Sequence, residues 1–309
     1  MRKISFLLAF VISSFVFACL NYSVVGTDVK GNQIENQEHE RYVAGLYINE
    51  INKEDVEERS LIDLEEYKKT KNLDSYLNYA TSLVYLGEYD KAISIFKEIE
   101  EKQPNKYELA SNLGTAYELA GDNKNALIWI KKALQLNKDS HHGSEWIHIR
   151  ILEYKLRIIP LENLLGFDFG KERRPTSKYS KEELENFSKD LAYQLSERTQ
   201  FVKPKEQIVG KLYFDFGNLL ALTKDLETAV EAYELSEKYG YNSPLFNERF
   251  SHFKELIKEN SDSGKIISED LLEIFKYYTY KHKIIILTII SLIFISLILI
   301  IIKKRKKWK

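Results

Sequence analysis

Between residues 41 and 260 apolar side chains recur every three or four positions, the spacing that gathers them on one face of a helix. Leu184, Phe187, Leu191 and Leu195 make one such stripe, and Leu245, Phe250, Phe253 and Leu256 another. Ser180 and Glu183 have the spacing of a capping box, so a helix is expected to begin there. Ser144 is the expected cap of a helix running to Leu156, and Ser243-Pro244 supplies the cap and first turn of another. The pattern fails over 157–179, where Pro160 and the segment LLGFDFGKERRP read as an irregular insertion. Residues 19–40 are polar and unpatterned and are expected to form a flexible leader. Asn260-Ser261-Asp262-Ser263-Gly264 breaks the pattern again, and 261–283 reads as a linker followed by a helix starting at Ser268.

The two ends carry a different signal. Arg2 and Lys3 precede an apolar run from Ile4 to Ala18, the layout of a signal peptide over 1–18. Cys19, the single cysteine, would then be the first mature residue, either lipidated or inert. Ile284–Ile302 is 19 residues long with only Thr288, Ser291 and Ser296 polar, which reads as a transmembrane helix. Six of the last seven residues, 303–309, are basic, so the positive-inside rule puts this tail in the cytosol and the bulk of the chain outside the cytoplasm. The expectation is a single-pass membrane protein. With no disulfide framework, a bacterial cytoplasmic membrane with a periplasmic domain fits better than a secretory pathway, despite the sequons at Asn21 and Asn186. Charge follows the same division. The 309 residues sum to −1, but setting aside Arg2, Lys3 and the eight basic residues from Lys281 onward leaves −11 on 19–280, which argues against nucleic acid as a partner.

Gly and Pro total 18, about half the usual share, which argues against a turn-rich all-β sandwich or barrel and favours long helices. Within them the chain repeats. Residues 73–106 align with 107–140 at an offset of 34 with no gap: Ala80 on Gly114, Leu83 on Tyr117, Gly87 on Gly121, Ala92 on Ala126 and Phe96 on Ile130. A third unit, 210–243, carries Tyr213, Gly217, Leu220, Ala229 and Tyr233 but has Lys224 at the turn. Two antiparallel helices per unit, small residues at the close contacts and Pro104 closing the first unit resemble the tetratricopeptide repeat (TPR) superfamily. The resemblance implies an all-α fold, a right-handed α-solenoid of helix-turn-helix repeats over 41–260, here with a C-terminal transmembrane helix. It also implies a groove lined by the first helix of each unit, and would place Leu77, Asn78, Thr81, Val84, Ser111, Asn112, Thr115 and Glu118 there as a partner-binding surface.

No phosphate loop, dinucleotide fingerprint, nucleophile elbow or HExxH motif is present. His141, His142, Glu145 and His148 are the best metal candidates, but Gly143-Ser144 separates the first two from the helix carrying the others. Asp168 and Glu172 in the insertion could serve a hydrolase, without an evident His or Ser partner. The expectation is therefore a non-enzymatic scaffold with no catalytic residue, metal or cofactor, which binds a protein or peptide partner outside the cytoplasm. The second reading is an envelope hydrolase or metal-binding protein that uses residues 141–178. The sequence leaves the oligomeric state open.

Overall fold

The structure, a computed structural model, describes residues 24–36, 43, 45–48 and 50–261. Helices α1 (Lys53–Thr70), α2 (Leu73–Leu86), α3 (Tyr89–Lys102), α4 (Tyr107–Leu119), α5 (Asn123–Leu136) and α6 (Glu145–Lys155) follow one another with short turns. Each packs against the next. Then come α7 (Lys181–Phe201), α8 (Gln207–Thr223), α9 (Leu226–Lys238) and α10 over 244–261. Local chemistry sets the boundaries. Asn52, Asn72, Asp122 and Asp225 each accept a first-turn backbone N–H, leaving fewer orphan donors at those helix starts. Ser180 and Glu183 form the reciprocal capping box that the sequence predicts.

The described fold is a helical array, and its period is visible in the helix starts. α2 and α4 begin 34 residues apart, as do α3 and α5. The small residues sit where helices meet. Ala80, Ala92, Ala126 and Ala229 are fully buried. A Cβ on Gly114 would stand 2.6 Å from Ile130, and one on Gly217 would stand 2.4 Å from the Tyr233 ring. Gly87, at φ +86°, ends α2 in the left-handed conformation that a side chain disfavours. The third pair, α8 and α9, turns instead through Lys224 with an extended φ of −124°.

Two findings, the first and third below, depart from the sequence reading, and the second adds to it. First, part of the expected leader is ordered. β1 (Val24–Thr27) and β2 (Gln33–Asn36) pair antiparallel, and Asp28 closes the turn by accepting the N–H groups of Lys30 and Asn32, both at 2.8 Å. Thr27 then donates its N–H and its hydroxyl to Glu227 in the first turn of α9, each at 2.8 Å. Farther along, Gly45 lies so close to the Ala192 backbone in α7 that a Cβ would approach to 2.8 Å. A short polar segment held by partners far away in sequence carries no periodicity of its own.

Second, the insertion is anchored. It contains one 3-10 turn (Leu161–Asn163), while Leu164, Leu165 and Phe169 are buried. Arg150 donates to the carbonyls of Asn163 and Leu164 at 2.6 and 2.9 Å. The segment thus stands beside α6, where a regular repeat would place a second helix.

Third, the expectation of a fold that ends in a spanning helix is corrected, and with it the single-pass, periplasmic placement. Among the described residues no helix is long and apolar enough to cross a membrane. The longest, α7, has 21 residues but carries eight charged side chains, and α8 keeps Lys211 and Asp215 within 17. The run 284–302, the expected signal peptide over 1–18, Cys19, the 262–283 part of the expected linker and the tail 303–309 lie outside the described residues.

The close helix contacts yield a prediction. The Tyr233 ring cannot retreat from position 217, because its hydroxyl donates to Asn218 at 2.7 Å and Phe253 stacks on it at 5.5 Å. Gly217→Ala is expected to cost roughly 3 kcal/mol, whereas Gly87→Ala, with open space around it, costs about 1 kcal/mol of left-handed strain. Urea midpoints of the two variants check the order.

Candidate functional site

Helix α7 has no counterpart in the repeat, and it lies across the helices expected to line the groove. Asp190 accepts from Trp146 Nε1 at 3.0 Å, and Gln194 donates to Ser144 Oγ at 3.1 Å, both contacts with the start of α6. Tyr193 stacks on His141 with centroids 5.3 Å apart. Arg198 forks onto Glu118 near the end of α4, at 2.9 and 3.3 Å. Phe201 stacks on Tyr85 near the end of α2 at 5.0 Å and joins the α2–α4 core. The spacing 190, 194, 198, 201 is one face of a helix, so a single stripe of α7 touches α6, α4 and α2 in turn.

Beneath that stripe is a cluster of buried charge. Glu118 accepts from His148 Nε2 at 2.6 Å and Lys155 Nζ at 2.6 Å as well as from Arg198, so both of its oxygens are satisfied. Burial opposes its ionisation, but Arg198, His148 and Lys155 outweigh burial and hold the carboxyl well below its ordinary range. Glu145 shows the same balance. Burial raises its pKa, and the hydrogen bond from His141 (2.7 Å) together with the nearby His148 brings it down to about 2. Burial works against protonation of His148, but Glu118 and Glu145 on its two sides overcome that and raise its pKa. At Glu197 burial outweighs the pull of His141 and pushes the carboxyl up.

The expected groove residues separate into three groups. Leu77 and Val84 are buried in the α2–α4 core and form no surface. Asn78 is exposed and bonds to Asp63 of α1, while Thr81 accepts from Asn112 at 2.9 Å. Ser111, Thr115 and Glu118 line a cavity of about 70 Å³ together with His141, Glu145, His148 and Arg198. Glu145 Oε1, 3.5 Å from His148 Nδ1, and Arg198 Nε are buried without a hydrogen-bond partner. The size and polar walls of the cavity suit water.

Arg198 and Lys155 escaped sequence reasoning. Arg198 lies 80 residues from Glu118 in a helix outside the repeat, and no motif marks it. One signal was available: an acidic residue at an inward position of a repeat helix needs a cation to stay ionised.

The chemistry of the cluster is that of a clamp. Glu118 has no lone pair directed at a substrate, and His148 has a carboxylate on each ring nitrogen. His141, at φ +50°, engages Glu145 and approaches Tyr107 at 3.4 Å. Among the described residues no group of three or more His, Cys, Asp or Glu is placed to hold a metal ion. Asp168 caps its own turn by accepting from Gly170 N–H at 2.9 Å, and Glu172 gives its backbone carbonyl to Arg249, so the structure brings neither to a histidine.

Two outcomes are expected. Glu118→Gln removes the shared counter-charge of the buried Arg198 and His148 and the partly exposed Lys155, and costs about 3–5 kcal/mol in urea unfolding. His148 has a native pKa above its ordinary 6.5, so its stabilisation is complete below that pH and is lost as the pH rises through the native value. The urea midpoint of the wild type therefore falls on the alkaline side of pH 6.5, and His148→Gln removes that fall.

Residues 63–158, from within α1 to just past α6, match the family described as "Domain of unknown function (DUF6340)". The matched stretch covers about a third of the chain and holds Glu118, His141, Glu145 and His148, but not Arg198. No curated protein matches the chain.

Proposed function

We propose that this chain is a non-catalytic scaffold of the tetratricopeptide kind, which holds a protein or peptide partner on the face formed by α2, α4 and α6. The observation that carries the reading is that this face already receives a helix. α7 is seated across it through an ion pair, an amide contact and an aromatic stack. A surface that binds one element this way has the chemistry to bind another. The uniform 34-residue step of α2 through α5 and the full pairing of Glu118 and His148 favour a structural array over a reaction centre.

The open part of the face lies where α7 does not reach, at Asn78, Thr81 and Asn112. These amide and hydroxyl groups suit hydrogen bonds to the backbone of an extended segment, with little demand for charge. Photo-crosslinkers at Asn78 and Asn112 in cells are expected to capture one reproducible protein, and Asn78→Arg with Asn112→Arg is expected to abolish capture. Reproducible capture of nothing, or capture unaffected by the double substitution, would refute the reading.

A further inference from the structure

The exposed large apolar side chains among the described residues fall mostly on two helices. On α1 they are Leu61 and Ile62, 64% and 59% exposed; on α5 they are Ile128 and Leu136, 60% and 37% exposed. Scattered singly, such residues are ordinary on a protein surface. Here Leu61 and Ile62 sit in a mainly acidic field and Ile128 in a basic one. Within one turn of Leu61 and Ile62 stand Glu57, Glu58, Glu65 and Glu66, all exposed, against the single cation Arg59. Around Ile128 the charged neighbours are Lys124, Lys131 and Lys132. Lys132 is drawn back onto Glu100 and the Trp129 ring, and Lys131 reaches Glu153 only at 3.5 Å, with half of its side chain exposed. Lys124 and Lys131 are therefore the cations that border Ile128.

The two helices also hold equivalent places. α1 packs on α2 as α3 packs on α4 and α5 on α6, so α1, α3 and α5 form one layer with α3 in the middle. Exposed positions on α3, including Lys91, Ser94 and Lys97, present no large apolar side chain. An acidic apolar strip and a basic apolar strip on either side of a polar centre are self-complementary under a two-fold rotation. Turning a second copy about an axis through α3 brings its α5 onto the α1 of the first and its α1 onto the α5.

We propose that this layer is a self-association surface. The chain forms a two-fold dimer in which Leu61 and Ile62 of one copy pack against Ile128 and Leu136 of the other, with Glu57 and Glu58 facing Lys124 and Lys131. The charges set the register and exclude α1 against α1, and the apolar pairs supply the contact. This surface lies on a different layer from the face assigned to a partner, so the two proposals stand or fall separately.

The test uses the full chain with Cys19→Ser, so that any disulfide reports an introduced cysteine. Chains carrying Leu61→Cys are mixed with chains carrying Ile128→Cys and oxidised. The expected result is that the mixed pair crosslinks about tenfold more than either variant alone, and less in high salt. Glu57→Lys with Glu58→Lys, or Lys124→Glu with Lys131→Glu, each abolishes the mixed product. Placing all four reversals in both chains restores it. Unchanged circular dichroism shows that these exposed substitutions leave the fold intact. Equal crosslinking in every pairing, no crosslinking at all, or reversals without effect and without rescue would overturn the dimer.

Discussion

A carboxylate removed from water stays ionised only if cations take the place of its solvation, and Glu118 meets that condition with three groups drawn from two other helices. His148 and Lys155 come from α6 and Arg198 from α7. The condition fixes more than one side chain. It holds α6 against α4 at the correct rotation, and it sets the end of α7 over both. With α7 placed, its opposite side receives α8 and the strap around Gly45, and the chain between α6 and α7 must take an irregular route back. Leaving α7 free would expose Leu191, Leu195 and Phe201 as well as stranding the charge.

The same principle recurs at the other end of the array. Arg249, only 1% exposed, donates to Asn218 in α8 and to the carbonyls of Phe169, Gly170 and Glu172 in the insertion. A guanidinium has five donors in a rigid fork, so it can satisfy the backbone of a segment that makes no ladder of its own. Nearby, Lys211 and Asp215 pair one turn apart within α8. Burial still raises the Asp215 carboxyl, although Lys211 and Arg249 pull it down. Regular repeats are held by apolar packing of small against large residues. The two irregular pieces, α7 and the insertion, are held by buried arginines.

That division explains what could be read from the sequence. Apolar period, caps and small residues act within a few positions or within one 34-residue step, and they placed α2 through α5, the turn glycines and the capping box at Ser180. The third pair was legible too, since α9 begins 103 residues after α5, the same offset that relates the units. The seat of α7 was not, because the Glu118–Arg198 pair spans 80 residues and belongs to no repeat. The clasp of Thr27 on Glu227 spans 200, so a segment of low hydrophobicity read as loose. Among the candidate residues, the resemblance separated inward from outward positions only coarsely. Leu77 and Val84 proved to be core, whereas Ser111, Thr115 and Glu118 do line a cavity.

On the scaffold reading proposed above, the seat of α7 also limits what kind of partner segment could dock. A groove open along its length would accept a helix, and its specificity would rest on the residues of every unit. Here the ends of α2 and α4 are covered by Phe201 and Arg198, and the start of α6 by Asp190 and Gln194. A second helix on the same path would have to break the Glu118 cluster, which costs more than an ordinary interface contact returns. The surface left free is short and lined by Asn78, Thr81 and Asn112, whose groups hydrogen-bond without a charge preference. An extended strand of a few residues matches that length and chemistry better than a helix does, because its backbone exposes donors and acceptors on both sides. A partner segment read in this way would be recognised chiefly through its main chain.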